Sequence, residues 1–264
     1  MSAEQLTIGG NPVTEETIFD ARVDARVFVP WLRLFDFVDE YRVEIDWDGF
    51  HVNVVDAATV MVAKSTLFDD AFETFDVSEE TAIGINAKRL NAAVSFARYG
   101  KGASDSIRLT LNERKELTVT VNRDIEGVSV VGERSFGTMP PDDLRDEQDM
   151  PSIQQKAEAT LPPEVFVRLV NELNDRFLLQ IDHDGVAFLL GEETDGGYRA
   201  DVSTRGESLS WFSHDYMEEM ANAINASLAD SLTILNSDEH PIEVYVDREG
   251  VFKATFMQAP RIAP

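Results

Sequence analysis

The chain has 264 residues, 43% of them apolar, which is room for one large domain or two of about 130 residues, each with a true core. Asp and Glu number 49 against 23 Lys and Arg, a formal charge of −26; with 16 Phe and 3 Trp this composition excludes a disordered acidic chain and points to a folded protein with an acidic surface. No Cys is present, which excludes disulfides and thiolate metal sites, and no apolar run approaches the roughly 20 residues of a membrane span.

The charge is spread along the chain, and only six of the cations are Lys. Such a surface fits a high-salt cytoplasm, where screening lengths fall to about 3 Å at 1 M and self-repulsion is muted. The N-terminus lacks a basic segment followed by an apolar one, so a cytoplasmic protein with no membrane partner is expected.

Residues 1–17 have no counterpart later in the chain and predict a loose N-terminal extension. VFVPWLRLFDFVDEY follows, an amphipathic helix by the spacing of Trp31, Leu32 and Phe35. YRVEI, the turn IDWDG (Ile45 to Gly49) and FHVNVV then read as a hairpin, because Asp hydrogen-bonds its own backbone and Gly reaches positive φ. IGINAKRLNAAVSFARYGKG predicts a helix over Ala87 to Tyr99, capped by Asn86, with Leu90, Ala93, Val94 and Ala97 as its apolar stripe. A second hairpin, SIRLTLNERKELTVTV, closes this half.

MPPDDLRDEQDMPSIQQ, residues 139–155, is dense in Pro and acid and has no apolar period, so it reads as an extended linker. The order then repeats. PPEVFVRLVNELNDRF predicts a helix on Val167, Val170 and Leu173, and FLLQI, IDHDG (Ile181 to Gly185) and VAFLL make a hairpin. WFSHDYMEEMANAINAS is a helix capped by Ser213 with Met217, Met220, Ala221 and Ile224 inward, and SLTILNSDEHPIEVYV is the final hairpin. Helix, hairpin, helix, hairpin occurs twice, the mark of an internal duplication.

VVDAATVMVAKSTL (Val54 to Leu67), the linker, FSHDYMEEM, and above all HPIEVYV with TFMQAPRI resemble the DNA sliding clamp of archaea and eukaryotes, proliferating cell nuclear antigen, here of haloarchaeal type. The resemblance spans about residues 18 to 263, and Phe256 to Ile262 match the family's aromatic-x-x-Ala-Pro-basic-Ile signature. It implies an α+β clamp fold of two similar domains, 18–138 and 156–264, with sheets outside and two helices each inside. It further implies a homotrimeric ring around duplex DNA that acts as a polymerase processivity factor, with no catalysis, cofactor or metal. Its partners would be DNA polymerase, other proteins carrying a PIP-box peptide (a Gln and two adjacent aromatics), and a clamp loader.

By the same resemblance, Arg33, Lys88, Arg89, Arg98 and Arg168 are the candidate phosphate contacts. Without the family they would be ordinary solvated side chains. The fourth helix departs from the family, with Glu218 and Asn222 where Lys is usual, beside Asp215 and Glu219, which weakens DNA contact from the second half. The client pocket would comprise Val60, Val62, Met150, Pro151, Pro241, Met257, Ala259 and Pro260, with Val55 and Thr59 at its rim and Gln258, where Leu is common, tuning preference. The subunit joint would pair Glu116 to Val121, with Leu117, Thr118, Val119 and Thr120 as contacts, to Tyr198 through Ala200 to Val202.

Two rival readings were open on the residues alone. A divalent-metal site at the DWD and DHD turns with His183 would make the chain an enzyme, but turn Asp residues usually cap backbone, and His51, His183, His214 and His240 show no ligand spacing. A clamp-fold scaffold that binds clients without encircling DNA is the second, favoured slightly by the acidic fourth helix.

Overall fold

The computed structural model describes residues 16–99, 105–145, 150–173, 176–190 and 196–262. Most of the expected N-terminal extension lies outside these residues, as do 146–149 of the linker.

Among the described residues each half contributes nine strands and two α-helices in the same order. The first half runs β1 (Thr17–Asp24), α1 (Ala25–Leu32), β2 (Glu40–Asp46), β3 (Gly49–Val55), β4 (Met61–Phe68), β5 (Thr74–Val77), β6 (Thr81–Asn86), α2 (Ala87–Val94), β7 (Ser106–Asn112), β8 (Glu116–Ile125) and β9 (Val128–Gly137). The second runs β10 (Ala157–Leu161), α3 (Pro163–Asn171), β11 (Arg176–Asp182), β12 (Gly185–Leu189), β13 (Gly197–Ala200), β14 (Thr204–Arg205), β15 (Ser208–Ser213), α4 (His214–Ser227), β16 (Ser231–Asn236), β17 (Ile242–Arg248) and β18 (Phe252–Gln258). A 3-10 turn, Arg33–Phe35, follows α1 and another, Pro141–Asp143, opens the linker.

Three antiparallel sheets result, ordered β5-β1-β7-β8-β9, β14-β10-β16-β17-β18-β4-β3-β2-β6 and β13-β12-β11-β15. The middle sheet is a fusion. It joins the second half's copy of the first sheet to the first half's copy of the third, through β18 and β4. The inner strand faces alternate as period-two patterning requires: Phe50, Val52 and Val54 on β3 are buried, and so are Phe252, Ala254 and Phe256 on β18. Trp31 of α1, 1% exposed, lies under the joint. Its Nε1 donates to Ser65 Oγ on β4 at 3.0 Å, and Ser65 donates to Lys253 O on β18 at 2.9 Å.

The repeated turns do what the sequence asks of them. Asp46 and Asp182 each accept the N–H two residues on, from Asp48 and Asp184, at 2.8 Å. Gly49 and Gly185 have φ of +135° and +120°, and a Cβ at either would collide with a carbonyl oxygen, that of Leu67 or of Ala200. Glycine is demanded here by the neighbouring strand as well as by the turn.

The helices are shorter than their apolar periods suggest. α1 stops at Leu32, close after Pro30, and does not continue towards Tyr41. Asn86 caps α2 as expected, its Oδ1 accepting from Arg89 N, but α2 ends at Val94 and not at Tyr99. Ser95 turns its hydroxyl onto Ala92 O and Asp105 takes the Arg98 N–H, which replaces the helical ladder. Ser213 precedes α4 without making a side-chain cap bond. Among the described residues no helix is long and apolar enough to cross a membrane.

Candidate nucleic-acid interface, peptide pocket and sheet edges

The helices form one layer in which α4 packs against α3 on one side and against α1 and the 33–35 turn on the other. On α2, Asn91 Nδ2 donates to Asp36 Oδ1 at 3.1 Å, which brings Lys88 and Arg89 beside the turn bearing Arg33. The five proposed phosphate contacts fare differently there. Arg33 donates to Asp36 at 2.9 Å, and that bond first of all raises its pKa. Lys88 pairs with Asp39 at 2.8 Å, but both side chains are largely solvated, so the pair holds little. Arg89 and Arg168 are exposed and have no ion pair among the described residues. Arg98 is not on a helix at all. It lies in the segment after α2, where its Nη2 donates to Asp124 O at 2.6 Å and stands 3.5 Å from Asp105.

The solvent face of α4 carries Asp215, Glu218, Glu219 and Asn222, all exposed, and no cation. Partial burial, then the nearby carboxylates of Asp56, Asp215 and Glu218, push the Glu219 pKa up. The fourth helix thus presents an acidic stripe between α3, which bears exposed Arg168, and the 33–35 turn, whose Arg33 is paired with Asp36.

Of the expected pocket residues, Val60, Val62, Met257 and Ala259 meet on the middle sheet where its two halves join. Met257 stands opposite Val62, and Ala259 N donates to Val60 O at 2.9 Å, so the loop before β4 and the end of the chain are zipped together. Asp56 builds that loop: its carboxylate accepts from Ala58, Val60 and Met61 at 2.6 to 2.7 Å, and Thr59 takes a left-handed φ of 60°. Val55, Val60, Val62, Met150, Pro241, Ala259 and Pro260 are half-buried, Thr59 and Pro151 are exposed, and Met257 is nearly covered. The linker arrives at the same place. Arg145 Nη1 donates to Asp56 O at 2.6 Å, and Gln155 donates to Pro241 O and to Glu243.

Gln258 does not belong to this surface. It is fully buried, and its amide donates inward to Ser213 O at 3.0 Å, so it cannot tune client preference by contact. Asp56 and Arg145 were missed by reading the sequence; the Asp-Ala-Ala-Thr turn was the available signal for the first.

The sheet edges correct the expected joint. β8, with Leu117, Thr118, Val119 and Thr120, is hydrogen-bonded on both sides, to β7 and to β9, and has no free ladder. The edge is β9, the return strand that the sequence reading stopped short of. β13, with Tyr198 and Ala200, is one edge of the third sheet among the described residues, while Val202 lies beyond its end. A groove lined by Val165, Arg168, Leu169, Tyr198 and Ala200 opens between α3 and β13.

Asp182, His183 and Asp184 bring their ligand atoms within 4.8 Å of one another. Asp182 is already engaged: Arg199 forks onto both its oxygens at 2.7 and 2.9 Å and, as the largest influence, holds its pKa down to about 2. The turn is a braced hairpin end, as its twin at Asp46 is.

No protein-family model matches the chain. It is 30% identical over 237 residues to the DNA polymerase sliding clamp of Natronomonas pharaonis, covering 85% of this chain and 90% of that one, and 27% identical over 237 residues to the clamp of Haloarcula marismortui. In fold it is similar to the Archaeoglobus fulgidus PCNA bound to the C-terminal region of FEN-1, with a TM-score of 0.80 at 21% identity over 93% of this chain and 99% of that chain. It is similar also to PCNA from Thermococcus kodakaraensis, with a TM-score of 0.77 at 18% identity over 92% of this chain and 100% of that chain. With 30% identity to the Natronomonas pharaonis clamp over most of both chains, the chain belongs to the DNA polymerase sliding clamp family.

Proposed function

We propose that the chain acts as a processivity factor: a homotrimer that encircles duplex DNA and tethers a DNA polymerase and other PIP-box proteins, placed by a clamp loader. One observation carries the reading. Two of the free edges, β9 and β13, occupy in their own sheets the places that β18 and β4 occupy in the middle sheet, and β18 and β4 pair within the chain. Repeating that joint between copies is heterologous, uses each of these two edges once and can close a ring with neither of them left unpaired. With 18–138 and 156–264 as two like units, three copies place six of them round the hole.

Support for the pocket comes from chemistry. Half-buried Val, Met and Pro side chains beside exposed backbone suit a short apolar helical turn. A relative in this fold is bound to the C-terminal region of FEN-1. A topological clamp needs little affinity for DNA, so a sparse set of unpaired cations suffices.

Sedimentation in molar salt tests assembly, with three times 29.5 kDa expected. Stimulation of a polymerase on primed circular DNA, with a clamp loader present, tests the activity. The acid-only face of α4 favours the second reading, a scaffold that binds clients without encircling DNA; a trimer that fails to stimulate would support it.

A further inference from the structure

Asp105, two residues from the start of the β7 core positions, is a carboxylate only 2% exposed. Its Oδ2 accepts the Arg98 backbone N–H at 2.7 Å, Arg98 Nη2 lies 3.5 Å from its Oδ1, and Arg123 Nε lies 3.8 Å from its Oδ2. A buried carboxylate persists where it is both paired and hydrogen-bonded, and here the two cations reach it from different elements, the segment after α2 and strand β8. Both arginines then grip the same neighbourhood. Arg98 donates to Asp124 O, while Arg123 Nη1 donates to Phe96 O at 3.3 Å and its guanidinium lies 5.1 Å from the centre of the Phe96 ring.

Phe96 in turn lies against the free edge. A Cβ added at Gly132 of β9 would meet its ring at 3.1 Å. Phe96 is 37% exposed, and Val128 and Val131 on the same strand are 62% and 58% exposed. An aromatic ring left in solvent is usually mobile, whereas this one is held by Arg123, which lies on the ring and donates to its backbone carbonyl while itself standing beside Asp105. The duplication says what should cover it. Leu90, Ala93, Val94 and Ala97 match Met217, Met220, Ala221 and Ile224 in burial and spacing, so Phe96 corresponds to Ala223. Ala223 is buried and lines the cleft between α4 and the 33–35 turn of the other half.

We infer that Asp105 is a positioning residue for self-association: it locks Arg98 and Arg123 around Phe96, so that the ring and the β9 edge meet a second copy of this chain as one preset face. The inference rests on the trimer reading. Arg98 then serves assembly and not DNA, and the gain is the entropy already lost before the copies meet.

The test uses the full chain in molar KCl, with sedimentation equilibrium over a concentration series and circular dichroism to confirm folding. Asp105→Asn keeps an acceptor for Arg98 N but removes the charge. Asp105→Asn and Phe96→Ala should each raise the concentration of half-assembly about ten-fold or more, and the double variant should add little to either, because both act through one ring. Should Asp105→Asn fail to fold, Arg123→Lys, which keeps the charge and loses the planar fork, must show the same coupling to Phe96→Ala. A monomeric parent chain overturns the trimer reading itself. A trimeric parent with Asp105→Asn assembling as tightly, or with the two effects fully additive, overturns the inference and leaves the trimer standing.

Discussion

Phe252 on β18 stands directly opposite Leu67 on β4, two residues far apart in the chain and one from each repeat. The pairings elsewhere translate this contact to the free edges. Val121 faces Gly132 as Val246 faces Ala254, and Arg123 faces Val130 as Arg248 faces Phe252. Val186 faces Ala200 as Phe50 faces Leu67, and Phe188 faces Tyr198 as Val52 faces Ser65. Between copies, then, Val130 should lie opposite Ala200 and Gly132 opposite Tyr198, the bulky ring over the missing side chain. The chain has no Cys of its own, which makes the register directly testable. Val130→Cys with Ala200→Cys puts Cα atoms about 4.5–5.5 Å apart, within disulfide reach. Oxidation should give covalent trimers on a denaturing gel, whereas Val119→Cys with Ala200→Cys, from an inner strand, should give none.

Much of this was legible beforehand, and the limits have physical causes. The duplicated Asp-Gly turns, the cap at Asn86 and the inward stripes of α2 and α4 are local, and local periodicity reports them, whereas Ser213 makes no cap bond. β9 escaped because its residues alternate poorly: Val128 and Val131 are exposed, awaiting cover, and an edge strand lacks the half-buried pattern by which strands are read. The length of α2 was overread because Phe96 and Ala97 continue the helical period while Asp105, further along the chain, captures the Arg98 N–H. Gln258 looked like a pocket residue by position in the tail, yet strand alternation places Met257 outward and Gln258 inward, a difference of one residue that motif matching does not see.

The pocket makes a second prediction. Ala259 is half-buried at the seam, and its N–H is committed to Val60 O, so its Cβ is the part left to face a client. Ala259→Arg should place a long cation in the groove and weaken binding of a PIP-box peptide by on the order of 100-fold, a hot-spot loss, without changing the sedimenting mass. Calorimetry with a synthetic peptide measures the first and sedimentation the second. Unchanged peptide affinity would remove the pocket from this surface.

Acid stability gives a third. The Arg199 fork depresses the Asp182 carboxyl to about 2, against about 3.9 for a free Asp. A depressed pKa contributes stability that is whole above the unfolded value and lost as pH falls through the folded one. The parent should therefore melt above Asp182→Asn at neutral pH, by about 3 °C. That gap should close between about pH 4 and pH 2 and stay closed below. Thermal melts at stepped pH read this directly; a gap that persists at pH 2 would mean that packing of the longer-range hairpin, and not the charge, is what the variant disturbs.

The inner layer separates cations that can meet phosphate from those already spoken for. Arg33 is bonded to Asp36 and Arg98 is turned onto Asp105 and Asp124, whereas Arg89 and Arg168 are exposed and have no ion pair among the described residues. Each phosphate contact contributes about 0.9 to the slope of log affinity against log salt on duplex DNA. Arg89→Gln with Arg168→Gln should therefore flatten that slope by about 2 per copy engaged and shorten the residence of the clamp on linear DNA. On a closed circle retention should hardly change, because escape from a topological link does not depend on charge. Glu218→Lys with Glu219→Lys should act in the opposite sense, adding contacts from the helix that now presents only acid and steepening the slope by a similar amount. Titrating salt against fluorescent duplex binding for the three chains decides the assignment: equal slopes for parent and the arginine variant would place the DNA path elsewhere, and a loss of retention on circles would mean that the joint between copies had been weakened instead.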